Sequence, residues 1–134
     1  MQKEIIDKIA LLHIKNKKIL MVKSYGREVF YTPGGKREGN ETDIETLARE
    51  VKEELGVDLV PGSAKYYGTF CASADNKPPG VKVKIICYMA DFKGEILPSG
   101  EVESLIWCDH NRCGQTGSCG QLIFDDLKVK GLIE

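Results

Sequence analysis

The sequence predicts an α/β (α+β) fold with a mixed β-sheet between helices. Two observations predict it: short apolar runs bounded by turn-forming residues, and two longer segments whose apolar residues recur at helical spacing. The length of 134 residues predicts one domain, 1–134, and neither an internal repeat nor an interdomain linker divides it. A chain of this size removes about two-thirds of its unfolded surface from water, which is enough to form a core.

Six apolar-rich runs predict the strands. In chain order they are residues 5–14, 18–23, 28–31, 65–73, 81–92 and 105–108. The first two runs are separated by Asn16-Lys17, which predicts a hairpin turn. Residues 75–80 contain two prolines and a glycine, and this composition predicts a loop between the fourth and fifth runs.

Pro33, Gly34 and Gly35 follow the third run and predict an irregular turn. Glycine tolerates positive φ and has no side chain, so backbone groups of this turn can approach a ligand or metal closely.

Two helices are predicted. Thr42 followed by Glu45 forms a capping box, so the first helix should begin at Asp43, and Gly56 should end it after Leu55. Apolar residues at steps of three and four predict its buried stripe: Ile44, Leu47, Ala48, Val51 and Leu55. After a flexible stretch at 114–120, residues 121–133 predict a terminal helix that covers the sheet.

Three acids are predicted to share one edge of the first helix. Glu50 lies three and four residues before Glu53 and Glu54, so the carboxylates are neighbours. At about 4 Å and an effective dielectric near 20, two such charges repel each other by roughly 4 kcal/mol. Mg²⁺ would offset this repulsion, because it prefers carboxylate oxygens and bridges them to phosphates. The alternative is a solvated acidic face stabilised by Arg49 and Lys52.

A pattern of glycine, acidic and basic positions runs through this segment. It consists of Gly35, Glu41 after five intervening residues and, after seven more, Arg49, Glu50, Val51, Glu53, Glu54, Gly56 and Val57. The pattern resembles the signature box of the Nudix hydrolases at every specified position, and its chance occurrence at any one start is on the order of 10⁻⁹. The resemblance implies the Nudix α/β/α sandwich. It also implies hydrolysis of a phosphoanhydride in a nucleoside diphosphate linked to another moiety, with Mg²⁺ or Mn²⁺ as cofactor.

The resemblance further implies how the metal is held. Glu50 and Glu54 are expected to be direct metal ligands, and Glu53 a further ligand or a water-orienting acid. The backbone of Gly34 and Gly35 is expected to complete the site, with Gly35 at the metal and Gly34 at the substrate.

Residues around the metal ligands have implied roles as well. Arg49 resembles the family arginine that fixes a box glutamate by ion pairing, and Glu41 resembles the acid behind the ligands. The predicted catalytic set is Glu50, Glu53, Arg49 and a general base from outside the box. Glu101 is our choice for that base; Glu103 is the alternative, and both could be solvated loop acids.

The sequence indicates the substrate contacts less clearly than the metal site. Lys23 and Arg27 precede the Pro-Gly-Gly turn and could meet phosphates, although each could equally be a surface charge. Aromatic residues could stack a base, although aromatics within strands more often belong to the core. They are Phe30, Tyr31, Tyr66, Tyr67 and Phe70, and Trp107 is predicted to be core.

Motifs of the coenzyme A, ADP-ribose and NADH subfamilies are not recognised in the chain. What remains resembles the compact enzymes that convert a nucleoside triphosphate, including oxidised ones, to a monophosphate and pyrophosphate. The alternatives are a hydrolase of ADP-ribose, a nucleotide sugar or a dinucleoside polyphosphate, and a catalytically silent Nudix-fold ligand sensor.

Charge and hydropathy limit the partners. The 19 basic and 20 acidic residues do not favour a nucleic acid polymer, so a small-molecule nucleotide is the expected partner. The first residues carry no signal-peptide pattern and no run is apolar enough for a membrane span, so we expect a cytoplasmic protein. A homodimer is left open.

Five cysteines, an odd number without paired spacing, favour a reducing compartment over a disulfide framework. An alternative is a zinc-stabilised interaction module, because four residues have the right types for tetrahedral zinc. They are Cys108, His110, Cys113 and Cys119.

Overall fold

The protein is described by a computed structural model that covers residues 4–134. The strands are β1 (Ile5–Leu11), β2 (Ile14–Lys15), β3 (Lys18–Ser24), β4 (Gly34–Lys36), β5 (Asp58–Leu59), β6 (Lys65–Ser73), β7 (Lys82–Met89), β8 (Phe92–Lys93) and β9 (Val102–Cys108). The helices are α1 (Asp43–Leu55), a 3₁₀ helix (His110–Gln115) and α2 (Ser118–Val129).

The central sheet is mixed and has the strand order β4-β1-β7-β6. Strand β1 pairs with β7 in parallel, whereas the β1–β4 and β6–β7 pairs are antiparallel. A second, antiparallel sheet contains β2, β3 and β9, and β5 pairs with β8. The predicted α+β class with a mixed sheet is therefore confirmed.

The two helices pack on opposite faces of this sheet. Successive side chains of a strand point to opposite faces, and Ile9 of β1 packs in one core cluster while Ala10 packs in another. The cluster of Ile9 contains Leu47 from α1, and the cluster of Ala10 contains Phe124 and Leu127 from α2. The layers are thus helix, sheet and helix, as the predicted sandwich requires.

Local signals set both ends of α1 as predicted. Thr42 Oγ1 accepts a hydrogen bond from the Glu45 backbone N–H at 3.1 Å, and Glu45 Oε1 accepts one from the Thr42 N–H at 2.9 Å. Gly56 ends the helix in the left-handed conformation with φ 71°. The capping box and the glycine stop are both confirmed.

The buried side of α1 differs from the prediction. Leu47, Val51 and Leu55 are buried as expected, but Ile44 in the first turn is 41% exposed. Glu54, predicted to lie off the apolar stripe, is only 5% exposed. Its carboxylate is turned towards the backbone of β4, which supplies a hydrogen-bond donor that an apolar core could not.

The segment before α1 also differs. The predicted strand at 28–31 forms only isolated bridges, and the ladder strand is instead Gly34–Lys36, within the predicted turn. Gly34 has φ 143° and pairs with Ala10, and a Cβ on Gly34 would overlap the carbonyl oxygen of Ile9. The glycine therefore permits a close approach to β1 that other residues would prevent.

Boundaries in the second half are partly as predicted. Strand β6 has the predicted bounds 65–73, whereas the run at 81–92 divides into β7 and β8, and β9 begins three residues earlier than expected. The stretch at 114–120 is not irregular throughout, because the 3₁₀ helix ends within it and α2 begins at Ser118. Among the residues from 4 to 134, no helix is long and apolar enough to cross a membrane.

Candidate functional site

Two carboxylates of α1 lie directly against the glycine backbone of β4. The N–H of Gly34 donates a hydrogen bond of 2.8 Å to Glu54 Oε1. A Cβ on Gly35 would lie 2.5 Å from the carboxyl carbon of Glu50 and 2.7 Å from both of its oxygens. Side chains at positions 34 and 35 are therefore incompatible with this arrangement, and the backbone and the two acids share one end of a cavity.

Burial makes this pair of acids electrostatically unfavourable without a cation. Desolvation raises the pKa of Glu54 to about 8, although the Gly34 N–H opposes the shift, and the charges of Glu50, Glu101 and Glu53 raise it further. Desolvation also raises the pKa of Glu50, against the influence of Arg49. A divalent cation would favour the ionised form of both carboxylates. Buried carboxylate oxygens of this kind fit a hard ion such as Mg²⁺ or Mn²⁺.

Arg49 connects these acids to the loop before α1. Its Nε and Nη2 donate hydrogen bonds to the two carboxylate oxygens of Glu41 at 2.8 and 2.9 Å. Its Nη1 donates to Glu50 Oε1 at 2.7 Å. Its Nη2 also donates to the backbone carbonyl of Lys36 at 3.0 Å. Hydrogen bonds from Arg49 lower the pKa of Glu41 to about 2 and raise the pKa of Arg49. The guanidinium thus fixes the orientation of Glu50 from one side.

Glu53 and Glu101 lie near these two acids, but Glu53 is not among the residues that line the cavity. Glu53 is 56% exposed at its side chain, and its Oε1 lies 3.6 Å from Arg49 Nη1. Glu101 lines the cavity, and its charge contributes to the raised pKa values of Glu50 and Glu54. Glu103 is instead bonded to Lys23, so the placement favours Glu101, whose role as general base stays a prediction.

The cavity has a volume of about 620 Å³ and extends from these acids to the beginning of α2. Beyond these acids, its lining includes cationic, aromatic and aliphatic side chains. The cations are Lys8, Arg27, Lys36 and Lys77; the aromatic residues are Tyr25, Phe30 and Tyr31; and the aliphatic residues include Ile6, Val83 and Ile85. A volume of this size is within the range of small-molecule sites.

The two cations predicted to meet phosphates are placed differently. Arg27 lines the cavity. Lys23 is not among the lining residues, and its Nζ donates a 3.1 Å hydrogen bond to Glu103 Oε1. The bond follows from the pairing of β3 with β9, in which Lys23 lies opposite Ser104, next to Glu103.

Most of the aromatic residues considered for base stacking lie outside the cavity. Phe30 and Tyr31 line it, and the Tyr31 hydroxyl is hydrogen-bonded to Ser24. Tyr67 donates a 2.6 Å hydrogen bond to Asp126, and Phe70 packs in the core cluster beneath α2. Tyr66, with an exposed ring beside Tyr88, and Trp107, partly buried against the cluster beneath α1, also lie outside it.

Lys8 is a cavity residue that the sequence argument missed. It lies on β1 on the same face as Ala10, is partly buried, and its pKa is lowered by desolvation and by the nearby charge of Lys36. The sequence did contain a signal for it: Lys8 lies within the apolar run of residues 5–14. Burying a charge in a strand is costly, so such a lysine is a candidate functional residue.

Asp75 is a second residue that was missed. Its carboxylate lines the cavity and accepts hydrogen bonds from the Ser118 backbone N–H at 2.9 Å and from Ser118 Oγ at 2.7 Å. The loop after β6 is thereby attached to the first residue of α2. An acid at the start of a loop is a common feature, so the sequence carried no specific signal for it.

The predicted four-residue zinc set is not assembled. Cys108 is buried in the core cluster beneath α2, and the Cys119 thiol lies 3.4 Å from the Phe70 carbonyl oxygen and lines the cavity. His110 and Cys113 do lie close together, but their neighbour is Asp125. That set is wrong because α2 begins at Ser118, so Cys119 lies in its first turn and is directed into the core.

Comparisons with known proteins identify the family of the chain. The family model described as NUDIX domain matches residues 7–117. An ADP-ribose pyrophosphatase of Methanocaldococcus jannaschii is 30% identical over 118 residues, which are 86% of this chain and 64% of that protein's length. The chain therefore spans less than two-thirds of that curated relative.

Solved structures share the fold. The MutT protein from Methanosarcina mazei Go1 superposes with a TM-score of 0.74 at 22% identity, covering 98% of each chain. The ORF135 protein of E. coli gives a TM-score of 0.72 at 21% identity, covering 96% of this chain and 94% of that one. At these identities, the similarity shows a common fold.

Proposed function

Because the chain belongs to the NUDIX domain family, we propose that it hydrolyses a phosphoanhydride in a nucleoside diphosphate linked to another moiety. The observation that carries the proposal is the contact of Glu50 and Glu54 with the Gly34–Gly35 backbone at the end of a cavity. Both acids have raised pKa values that a bound cation would reverse, and cationic side chains lie farther along the same cavity.

The cofactor in this proposal is Mg²⁺ or Mn²⁺, held by Glu50 and Glu54 with Glu53 and the Gly35 carbonyl as further ligands. When bound, the ion supplies neutralisation of charge on the phosphates and lowers the pKa of a water molecule. Arg49 holds the Glu50 carboxylate in position through their 2.7 Å hydrogen bond. The roles of Glu50 and Glu54 are supported by their burial and by their contact with the glycine backbone, whereas the role of the exposed Glu53 rests on the family pattern.

In the reaction, water attacks phosphorus and the anhydride P–O bond breaks. Glu101 is the proposed base that accepts the proton of the attacking water, because it lines the cavity beside the other acids whereas Glu103 is hydrogen-bonded to Lys23. The cations Lys8, Arg27 and Lys36 would stabilise the phosphates. Lys23 has no part in this version of the site.

For the substrate, we propose a nucleoside triphosphate, including an oxidised one, that is converted to a monophosphate and pyrophosphate. A cavity of about 620 Å³ with phosphate-binding cations at one end and Phe30 farther along could hold such a molecule. ADP-ribose is the second candidate, favoured by the function of the 30% identical relative from M. jannaschii.

The experiment separates and identifies all nucleotide and phosphate products released from a panel of nucleotides with Mg²⁺ or Mn²⁺. The panel contains nucleoside triphosphates, oxidised nucleotides, ADP-ribose, nucleotide sugars and dinucleoside polyphosphates. Glu54→Gln should lower kcat by at least about a hundredfold, since even changes behind a metal ligand cost about 10–100-fold. Glu95→Gln, which changes an exposed acid that does not line the cavity, is the matched control and should leave kcat unchanged.

The product pattern identifies the substrate class. Pyrophosphate from triphosphates supports the first candidate, and AMP from ADP-ribose supports the second. A folded wild-type protein that binds Mn²⁺ but turns over no member of the panel would contradict the hydrolase proposal and favour a ligand sensor.

A further inference from the structure

His110, Cys113 and Asp125 form a compact cluster at the C-terminal end of the domain. His110 Nε2 lies 2.8 Å from Asp125 Oδ1, and Cys113 Sγ lies 4.0 Å from the same oxygen. The three ligand atoms are all within 4.8 Å of one another. None of the three residues lines the cavity that contains Glu50 and Glu54.

We propose that His110, Cys113 and Asp125 bind Zn²⁺, with water at the fourth position. An imidazole nitrogen, a thiolate and a carboxylate are the donors that zinc takes in proteins, whereas Mg²⁺ prefers an all-oxygen set. The site is therefore chemically distinct from the carboxylate site at the cavity, and the proposal does not depend on the hydrolase activity.

The observed distances are close to those of a tetrahedral site. With bond lengths of about 2.0 Å to nitrogen and oxygen and about 2.3 Å to sulfur, ligand atoms lie about 3.3–3.5 Å apart. The 2.8 and 4.0 Å separations bracket that range, so small side-chain rotations would bring the three atoms around one ion. Side-chain exposures of 35% for His110 and 61% for Asp125 leave a path by which the ion can enter.

The backbone around the cluster is fixed. The His110 N–H donates to the Glu134 carbonyl at 2.7 Å, and Asp109 caps the 3₁₀ helix through a 3.0 Å bond from the Asn111 N–H. Cys113 Sγ lies 3.8 Å from the Gln121 carbonyl oxygen of α2. A metal here would connect the 3₁₀ helix to α2, and the beginning of α2 borders the cavity.

Protonation of the Cys113 thiol would compete with metal binding. Burial and the neighbouring Asp125 carboxylate raise the pKa of the Cys113 thiol, so the thiolate is disfavoured while the site is empty. Zinc would reverse this balance, because a coordinating thiol is deprotonated by the ion. Binding should therefore release a proton from Cys113.

The test is Co²⁺ titration of tag-free protein, purified without chelator and kept reduced. Excess Mg²⁺ occupies the oxygen ligands of the cavity site, so that Co²⁺ reports the cluster. We expect one Co²⁺ per chain, a thiolate-to-cobalt charge-transfer band, and displacement of that band by Zn²⁺. Cys113→Ser should abolish the band, whereas Cys71→Ser, which changes an exposed cysteine on β6, should leave it unchanged.

A second variant protects the test against misfolding. Asp125 is exposed on α2, so Asp125→Asn should fold normally, and we expect it to weaken Co²⁺ binding at least about tenfold. Absence of the band in the wild type, or an equal band in Cys113→Ser, would overturn the proposal. Circular dichroism of each variant establishes that the fold is retained.

Discussion

The two ends of the cavity differ in charge and in how they are held. At the acidic end, Glu50 and Glu54 are fixed by hydrogen bonds of 2.7 and 2.8 Å to Arg49 and to the Gly34 N–H. The other end is lined by aliphatic side chains and by Phe30, and its polar attachment is the Asp75–Ser118 pair. Rigid, buried charge suits a metal and phosphates, whereas a half-apolar wall suits a base or sugar.

From this difference, we expect the acidic end to determine the rate of the chemical step and the other end to determine substrate preference. Changes at the acidic end should lower turnover of every substrate, because each substrate presents the same anhydride to the same ligands. Changes at the other end should alter KM and the ranking of substrates while kcat is retained. The expected outcomes below test that separation from both ends.

The largest expected effect is on the pH dependence of stability without metal. The pKa of Glu54 is about 8 in the folded chain and near 4.5 unfolded, so between these values the native state binds more protons. Its contribution to the free energy of unfolding is therefore full below about pH 4.5 and is lost as pH rises through 8. We expect metal-free protein to lose about 3 kcal/mol between pH 5 and 8 in urea titrations.

Two comparisons check the origin of this pH effect. Glu54→Gln should remove most of the slope, and saturating Mg²⁺ should do the same in the wild type by favouring the ionised carboxylate. Glu41, whose pKa is about 2, affects stability in a different pH range. Its contribution to the free energy of unfolding is lost only as pH falls below about 4.5. An unchanged slope in Glu54→Gln would show that the buried carboxylate is not its source.

A smaller effect is expected from Arg49→Lys. Lysine keeps the charge but cannot form the paired hydrogen bonds to Glu41 together with the bond to Glu50. We expect kcat to fall about 10–100-fold for all substrates, with little change in KM. Arg112→Lys, at an exposed site on the 3₁₀ helix, is the control. A loss confined to one substrate would contradict the proposed positioning role.

Lys8 tests the proposed phosphate-binding cations; it lies opposite Lys36 in the β1–β4 pair, and the charge of Glu54 acts on its pKa. Lys8→Met removes a cation from the cavity but retains the length of the side chain, so KM should rise about tenfold or less while kcat is largely kept. The variant should also be more stable than the wild type, because burial lowers the pKa of Lys8 and its charged form is therefore costly.

Lys65→Met is the control for Lys8→Met, since Lys65 is an exposed strand residue outside the cavity lining. Substrate kinetics and urea titration of both variants are sufficient. An unchanged KM for every substrate would show that Lys8 makes no contact with phosphates or base.

Helix α1, which carries the acids, could be predicted because its determinants are local. A capping box, a terminal glycine and helical spacing fix α1 from its own residues, and so Glu50 and Glu54 could be assigned to one edge. Their burial could not be predicted, because it depends on the position of β4. The strand at Gly34–Lys36 exists only through its pairing with β1, and that pairing is invisible to a local pattern.

The rest of the cavity could not be predicted because it is assembled from distant segments. Lys8 and Asp75 reach one cavity only after β1 and β7 pair in parallel and the loop after β6 meets α2. For the same reason, the sequence could not show that Lys23 pairs with Glu103 of β9. Nor could it show that His110 and Cys113 lie beside Asp125, rather than beside Cys108 and Cys119. Side-chain identity alone does not determine such contacts.

The smallest expected effect belongs to Asp75→Asn. The Asp75 carboxylate accepts both the Ser118 N–H and its hydroxyl, and these hydrogen bonds lower the pKa of Asp75. Asparagine has one acceptor oxygen and no charge, so Ser118 loses one of its two hydrogen-bond acceptors and the N-terminus of α2 loses a neighbouring anion, at a cost of about 0.3–1 kcal/mol. Because the folded pKa of Asp75 is lowered, its contribution is present above its unfolded value and is lost as pH falls through the folded one.

Kinetics of Asp75→Asn distinguish a tether from a catalytic group. Asp75 borders the cavity but is not one of the acids at the acidic end, so we expect KM to change by about threefold or less and kcat to be retained. Asp58→Asn, which breaks an exposed ion pair with Lys52, should change neither stability nor kinetics measurably. A fall in kcat for Asp75→Asn as large as that for Arg49→Lys would mean that the loop after β6 positions the reacting phosphate, and the separation between the two ends would then fail.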